Sequence, residues 1–381
     1  MLCMAKQSSP RRTVLCWCGS RQQYSKCHRN RDEQIPLKSY EIDAEFRKAF
    51  AKKYCLHPQS SSFTCSQQIV KAHSVSASSN LKNIAEDGHV LRFYYPPKAP
   101  VEARGRVTAQ TIGVNKASTF TGFCKLHDSK TFSCIDQPIN LLTPEHCFLL
   151  AYRALCQVIF TKAASFAASP TLRQLDRGTP PHVQQAHQKS CSDIEFSLMV
   201  GLQDLHQDKA EFDRHLLDRN FEAISYYALE LDHAPQIACS IAFPPEVDFE
   251  GNQLQSLENP DIHADMCSCS IISTQHGGAI VFAWLKETNN ASIRLIESLN
   301  RLKPYLIPSA IVRLVFECGE NVFFSQSWWN SLDPKTQMMI EDRANSLTDK
   351  PPNTLLDAGC RSVLWSIVSK SSSTLRTGSS E

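Results

Sequence analysis

A chain of 381 residues, 42% hydrophobic and 20% charged, is long enough for two or three domains and apolar enough to bury cores. Its net charge of +2 excludes no class of partner, and the absence of a run of about 18 apolar residues argues against a membrane span. No secretory leader is expected ahead of most of the sixteen cysteines, since the apolar run after Arg11 and Arg12 is only Thr13-Val14-Leu15, short for one; a cytosolic setting is expected, where close Cys/His groups bind metal.

Charge is unevenly placed. Residues 1–53 hold twelve Lys/Arg (6, 11, 12, 21, 26, 29, 31, 38, 47, 48, 52, 53) and five Asp/Glu (32, 33, 41, 43, 45), so 12 − 5 = +7, which leaves 2 − 7 = −5 for the rest. A basic N-terminal segment on an acidic body points to a polyanion or an acidic partner. Inside that segment, Cys16-Trp17-Cys18-Gly19-Ser20 precedes Cys27-His28. Zinc takes four N/S ligands tetrahedrally, and a hairpin turning at Gly19-Ser20 supplies two from each end. So small a module folds on its metal, and residues 1–31 are expected to lend little to any core.

This stretch resembles the SEC-C motif. Cys16, Cys18, Gly19, Ser20, Tyr24, Lys26, Cys27 and His28 match it, and Arg21 replaces the motif's second glycine. The resemblance covers about 15 of 381 residues. It implies Zn²⁺ on Cys16, Cys18, Cys27 and His28. It also implies an adaptor surface, because the motif at the tail of the secretion ATPase docks onto a partner chaperone and ribosomes.

A second Cys/His cluster follows. Cys55 and Cys65 bracket a Pro/Ser-rich loop, and Cys124-x-x-His127 comes later. Between them "QQIVKAHSV" and "HVLRFYY" read as strands and "SSNLKNIA" as a short helix, while "CKLHDSKTF" reads as a helix start. A loop pair plus a helix-start pair is the way a treble-clef zinc site is assembled. Cys55, Cys65, Cys124 and His127 are the expected ligands, with His57 as a replacement. Residues 53–135 resemble HNH nucleases loosely. That resemblance implies His73 as general base, Asp128 as ligand of a catalytic Mg²⁺ or Mn²⁺, and Asn115 as the middle Asn. Ala72 precedes His73 where the family usually has a second functional group, which favours a degenerate or structural site. The intervening "PPKAPVEARGRVTAQTIGVNK" reads as a loop whose Arg104, Arg106 and Lys116 can meet phosphates.

Residues 144–167 read as a helix capped by Thr143 with Pro144 at its first position. After a Pro/Gly/Ser linker, 182–219 read as a long polar helix, with His182, His187, His206 and His215 on its surface. From about 221 the apolar period becomes two. "ISYYALELD", "PQIACSIAFPP", "CSCSIIST", "GAIVFAWL" and "AIVRLVFEC" read as strands, and "QHGG" as a hairpin turn. Cys267 and Cys269 read as core thiols. No Walker loop, dinucleotide fingerprint or G-x-S-x-G occurs.

The expectation is an α+β protein, bacterial and cytosolic. It comprises a zinc knuckle (1–35), a treble-clef domain (50–168), a linker and long helix (169–220), a mixed α+β domain (221–368) and a disordered tail (369–381). Its expected role is nucleic-acid binding with structural zinc. The alternatives are an HNH-like nuclease acting in defence against foreign DNA, and a protein-interaction adaptor with an acidic or ribosomal partner.

Overall fold

The computed structural model describes residues 14–94, 107–286, 290–346, 355 and 362–373. In chain order these form α1 (Tyr24–Cys27), α2 (Ser39–Phe50), β1 (Ile69–His73), α3 (Lys82–Ile84), β2 (His89–Tyr94), β3 (Thr108–Gly113), β4 (Thr119–Cys124), α4 (Lys125–Asp136), α5 (Pro144–Leu172) and α6 (Pro181–Asp218). There follow β5 (Ile224–Leu231), β6 (Ile237–Phe243), β7 (Cys267–Thr274), β8 (Gly277–Leu285), α7 (Asn290–Arg301), α8 (Ile307–Cys318), β9 (Val322–Phe324), α9 (Gln326–Ser331), α10 (Pro334–Ser346) and β10 (Ile367–Ser372). The chain divides into two units. Among the described residues, one contains 14–50 and 164–199, the other 51–94, 107–163, 200–286, 290–346, 355 and 362–373.

The larger unit is built on an antiparallel sheet of order β10-β5-β8-β7-β6-β9-β2-β3. Side chains of a strand alternate between faces, and β8 shows it. Ile280, Phe282 and Trp284 enter one core with Leu295 of α7 and Val315 of α8. Ala279, Val281 and Ala283 enter another with Phe132 of α4 and Phe148 and Tyr152 of α5. Both faces are covered, so these strands read as continuous apolar runs. Cys267 and Cys269 lie fully buried in the first core, as core thiols. Burial pushes the Cys267 thiol up to about 12. The most apolar 18-residue window of α5 is long and apolar enough for a membrane span, but 72% of it is buried within the fold.

Several expectations need correction. The treble-clef segment is not a domain apart, because β2 pairs with both β3 and β9 and so joins the sheet formed by β5–β8. "AIVRLVFEC" is helical, within α8; a short apolar run whose polar residues are Arg313 and Glu317 carries too little period to separate helix from strand. Part of the expected phosphate loop is strand β3, while Arg104 and Arg106 lie outside the described residues. The tail expected from 369 begins as strand β10, paired with β5 through Ile367↔Leu231 and Lys370↔Leu229. Its serines gave no strand signal because an edge partner needs only backbone groups. Residues 374–381 lie outside the described residues. Helix α5 runs on through Pro170 into the expected linker. Of the α6 histidines, His215 is buried and His187 half-buried, its Nε2–H donated to the Leu172 carbonyl at 2.8 Å.

Candidate metal centres

The first centre is made locally. Leu15 bridges Gln23, the Cys16 N–H donates to the Gln22 carbonyl, and α1 carries Cys27 and ends at His28. The turn between uses Gly19 at φ +79° and Arg21 at φ +59°. Arg21 stands where the SEC-C motif has glycine, and the left-handed backbone there explains that glycine.

Cys16, Cys18, Cys27 and His28 converge, with all four ligand atoms within 4.8 Å of one another. The His28 Nδ1 lies 3.2 Å from both Cys16 Sγ and Cys27 Sγ, and Cys18 Sγ lies 3.6 Å from Cys27 Sγ. A tetrahedral ion with bonds of about 2.0–2.3 Å has ligand–ligand edges of roughly 3.3–3.8 Å, so the spacing and the donor chemistry both fit such an ion.

The imidazole is held from behind. His28 Nε2–H donates to Asp176 Oδ2 at 3.2 Å, which leaves Nδ1 as the lone-pair donor. Asp176 is fully buried and also accepts from Arg31 Nε (2.6 Å) and Gln188 Nε2 (2.7 Å). Arg31 is itself buried and donates to the Arg173 carbonyl. Gly178, at φ +75°, closes against this corner, where a Cβ would meet the Gln34 carbonyl at 2.9 Å. The knuckle is therefore docked on the ends of α5 and α6. This corrects the expectation that residues 1–31 lend little to any core, because His28 and Arg31 are buried and donate two of the hydrogen bonds that satisfy the buried Asp176 carboxylate.

Burial pushes the Cys16 thiol up to about 12. It also pushes against Cys18, but hydrogen bonds from Ser20, Cys16 and Cys27 bring that thiol below its ordinary value. Burial lowers His28 despite Asp176, so the ring is neutral and fit to ligate.

The second centre is assembled from distant segments. Tyr54 N and Leu56 N donate to the carbonyls of Thr121 and Gly122, which lays Cys55 along β4. The loop from His57 to Ser66 returns Cys65 through its N–H to the Ser61 carbonyl. β1 pairs with β4, Ile69 opposite Cys124, and Cys124 caps α4 by accepting the His127 N–H.

Cys55, Cys65, Cys124 and His127 also converge within 4.8 Å. Their Sγ atoms lie 3.4, 3.6 and 3.4 Å from the His127 Nδ1, the same tetrahedral edges. His57 is not in the group; its ring stacks on His127 at 4.0 Å between centroids and 6° between planes. Burial raises Cys55 to about 11. Cys124 falls to about 7 despite burial, because the His127 N–H and Ser66 hydrogen-bond its sulfur. Burial, then the nearby His127, Lys209 and Lys130, lowers His57 to about 4.

The residues aligned with a nuclease site are placed otherwise. His73 Nε2–H donates to the Val114 carbonyl at 3.2 Å. The Asp128 carboxylate faces Arg153 at 3.8 Å, and Arg153 is bidentate to Asp136 at 2.7 and 3.0 Å. Asn115 is exposed in the turn between β3 and β4. Among the described residues the convergent His/Cys/Asp/Glu groups are the two quartets, and neither includes His73 or Asp128. Asp176, Arg31 and Gln188 had no signal in the sequence, since they meet His28 only through folding. A cavity in the larger unit is lined by Asp208, His263 and Trp284 among others and contains no quartet residue. There Asp208 accepts from His263 at 2.8 Å and is raised to about 6 by burial.

Fold and site together define an α+β protein with two Cys₃His groups whose geometry is compatible with a bound metal ion. The family model of the SEC-C motif matches residues 12–30, around the first group. Comparison with curated proteins and with solved structures finds no match for the chain.

Proposed function

We propose that both quartets hold structural Zn²⁺ and that the modules so folded serve to bind nucleic acid. The observation that carries the zinc assignment is the donor set: three thiols and one imidazole per site, at tetrahedral edge lengths, with no coordination position left for a substrate. When bound, zinc supplies a cross-link and no redox chemistry. The loop pair, the β1–β4 pairing and the helix starting at Cys124 support reading the second centre as a treble clef. Free thiols throughout the described residues support a reducing compartment.

Binding is favoured over hydrolysis. His73 spends Nε2 on a backbone carbonyl, and Asp128 faces an arginine rather than an open metal position. The charge of +7 in residues 1–53 supports a polyanionic partner. One observation favours the adaptor reading: Val14, Leu15 and Trp17 on the knuckle are 49, 62 and 43% exposed, an apolar surface suited to a protein partner.

Elemental analysis of reduced, chelator-free protein should give two zinc atoms per chain. Affinity for a labelled oligonucleotide should fall steeply between roughly 50 and 200 mM salt, through counterion release. Absence of zinc overturns the structural assignment. Zinc with no oligonucleotide binding at low salt replaces nucleic acid by a protein partner.

A further inference from the structure

The second centre sits in an unusual charge environment. Segments 51–85 and 107–135, which build it, contain seven lysines (52, 53, 71, 82, 116, 125, 130), no arginine, and one acid, Asp128. That acid is turned to Arg153. Four of the lysines lie within three residues of a quartet ligand along the chain. Lys52 and Lys53 lead into Cys55, and the Lys52 carbonyl accepts from Thr121 Oγ1 on β4 at 2.5 Å. Lys125 lies between Cys124 and His127, its N–H on the Gln68 carbonyl. Lys130 follows His127 by one turn of α4. All four side chains are exposed, and none has an ion-pair partner among the described residues.

Phe63, 96% exposed, lies on the loop that delivers Cys65. Leu126, between Cys124 and His127, is 51% exposed, and its N–H donates to Ser66 Oγ beside Cys65. An aromatic ring so exposed buries nothing in the fold. The loop behind it is nevertheless pinned, by Cys65 in the quartet and by the Ser61–Thr64 hydroxyl pair at 2.7 Å. A pinned, solvent-facing ring on a module whose ligand-flanking lysines are exposed and outside any ion pair is suited to stack an unpaired base while its backbone is neutralised.

We infer, on the nucleic-acid reading above, that this face is a binding surface for single-stranded nucleic acid, with Phe63 as the stacking residue and Lys52, Lys53, Lys125 and Lys130 as phosphate contacts. A duplex keeps its bases inside the stack and offers Phe63 no ring face, so single strands are preferred. Loop placement by zinc makes the ring rigid and lowers the ordering cost of binding.

The test uses the full-length zinc-loaded protein and fluorescence anisotropy with labelled DNA of about 20 nucleotides, longer than typical single-strand site sizes, as single strand and as duplex. Phe63→Ala should weaken single-strand binding by roughly five- to a hundredfold and duplex binding by less than about twofold. The triple variant Lys52→Glu, Lys53→Glu, Lys125→Glu should weaken both and flatten the slope of log affinity against log salt by about 2, at about 0.7 per phosphate contact. Zinc content and circular dichroism, unchanged in both variants, show that folding is intact. Should wild type bind while neither variant differs from it, or should Phe63→Ala weaken strand and duplex alike, this surface is wrong and nucleic-acid binding lies elsewhere on the chain. Should wild type itself not bind at low salt, the nucleic-acid reading falls with it.

Discussion

The two metal centres share a donor set and differ in almost everything that supports it. The first takes its ligands from thirteen consecutive residues, and a buried carboxylate from far along the chain, Asp176, steadies its histidine. The second spans 55 to 127, and its histidine is steadied by the stacked ring of His57. Ligands close in sequence cost little loop entropy to gather, so the knuckle can form around its ion first and then dock. Ligands far apart are gathered by strand pairing, so the second site and the core beneath it, with Phe123 and Phe132, form together. Metal is thus coupled to a local element in one place and to the larger unit in the other.

The largest expected effect tests that coupling. Cys124→Ser removes a fully buried ligand that also caps α4. It should cost the larger unit on the order of 5 kcal/mol and shift the main denaturant midpoint, because structural zinc energy is folding energy. Cys27→Ser should lose one zinc and leave that midpoint within about 0.5 kcal/mol, with faster hydrogen exchange in residues 14–34 and 164–199. Equal shifts in the two variants would dissolve the distinction.

Acid should separate the centres next. The folded-state value of His57 is depressed from 6.5 to about 4. The stability gained by keeping it neutral is complete above pH 6.5 and is lost as pH falls towards 4, on the order of 3 kcal/mol. His57→Phe keeps a flat ring on His127 and should flatten this part of the stability–pH curve. Urea melts at pH 7.5 and 5 compare the two proteins, and parallel curves would count against a buried neutral His57.

Behind the first centre, Asp176→Asn keeps the shape but removes the charge that orients His28 and pairs Arg31. Zinc affinity there should drop roughly 10–100-fold while the second site is unchanged, as competition with a chromogenic chelator would show. Unaltered affinity would mean that Asp176 anchors the knuckle without tuning its metal. The smallest effect belongs to the turn. Arg21→Gly relieves a left-handed backbone at φ +59° and should stabilise the zinc-loaded knuckle by about 1 kcal/mol, read as slower metal release. Faster release would show that the Arg21 side chain matters more than its backbone.

Both quartets were legible in the sequence, for different reasons. Cys16 to His28 could be read from spacing alone. Cys55, Cys65, Cys124 and His127 could be named from a loop pair and a helix-start pair, but not separated from His57, whose place depends on the path of the loop. The strands β5 to β8 announced themselves as apolar runs. α8 did not, because Arg313 and Glu317 are the only charged residues in its apolar run, too few to set a period. The joining of β2 and β3 to the C-terminal strands was invisible, since pairing is made by backbone groups that every residue carries.

By itself the sequence determined what is local: the α+β composition, the first ligand cluster with its turn, the cap at Thr143 and the clustering of lysines in the second module. Only the tertiary structure decided what lies distant along the chain. It set Asp176 behind His28, turned Asp128 towards Arg153, committed His73 to a carbonyl, and left Phe63 in solvent. The physical reason is that ligand chemistry and turn preference act over a few bonds. A buried ion pair or an exposed ring depends on which surfaces the fold covers, and that is settled by contacts between residues that the sequence does not place side by side.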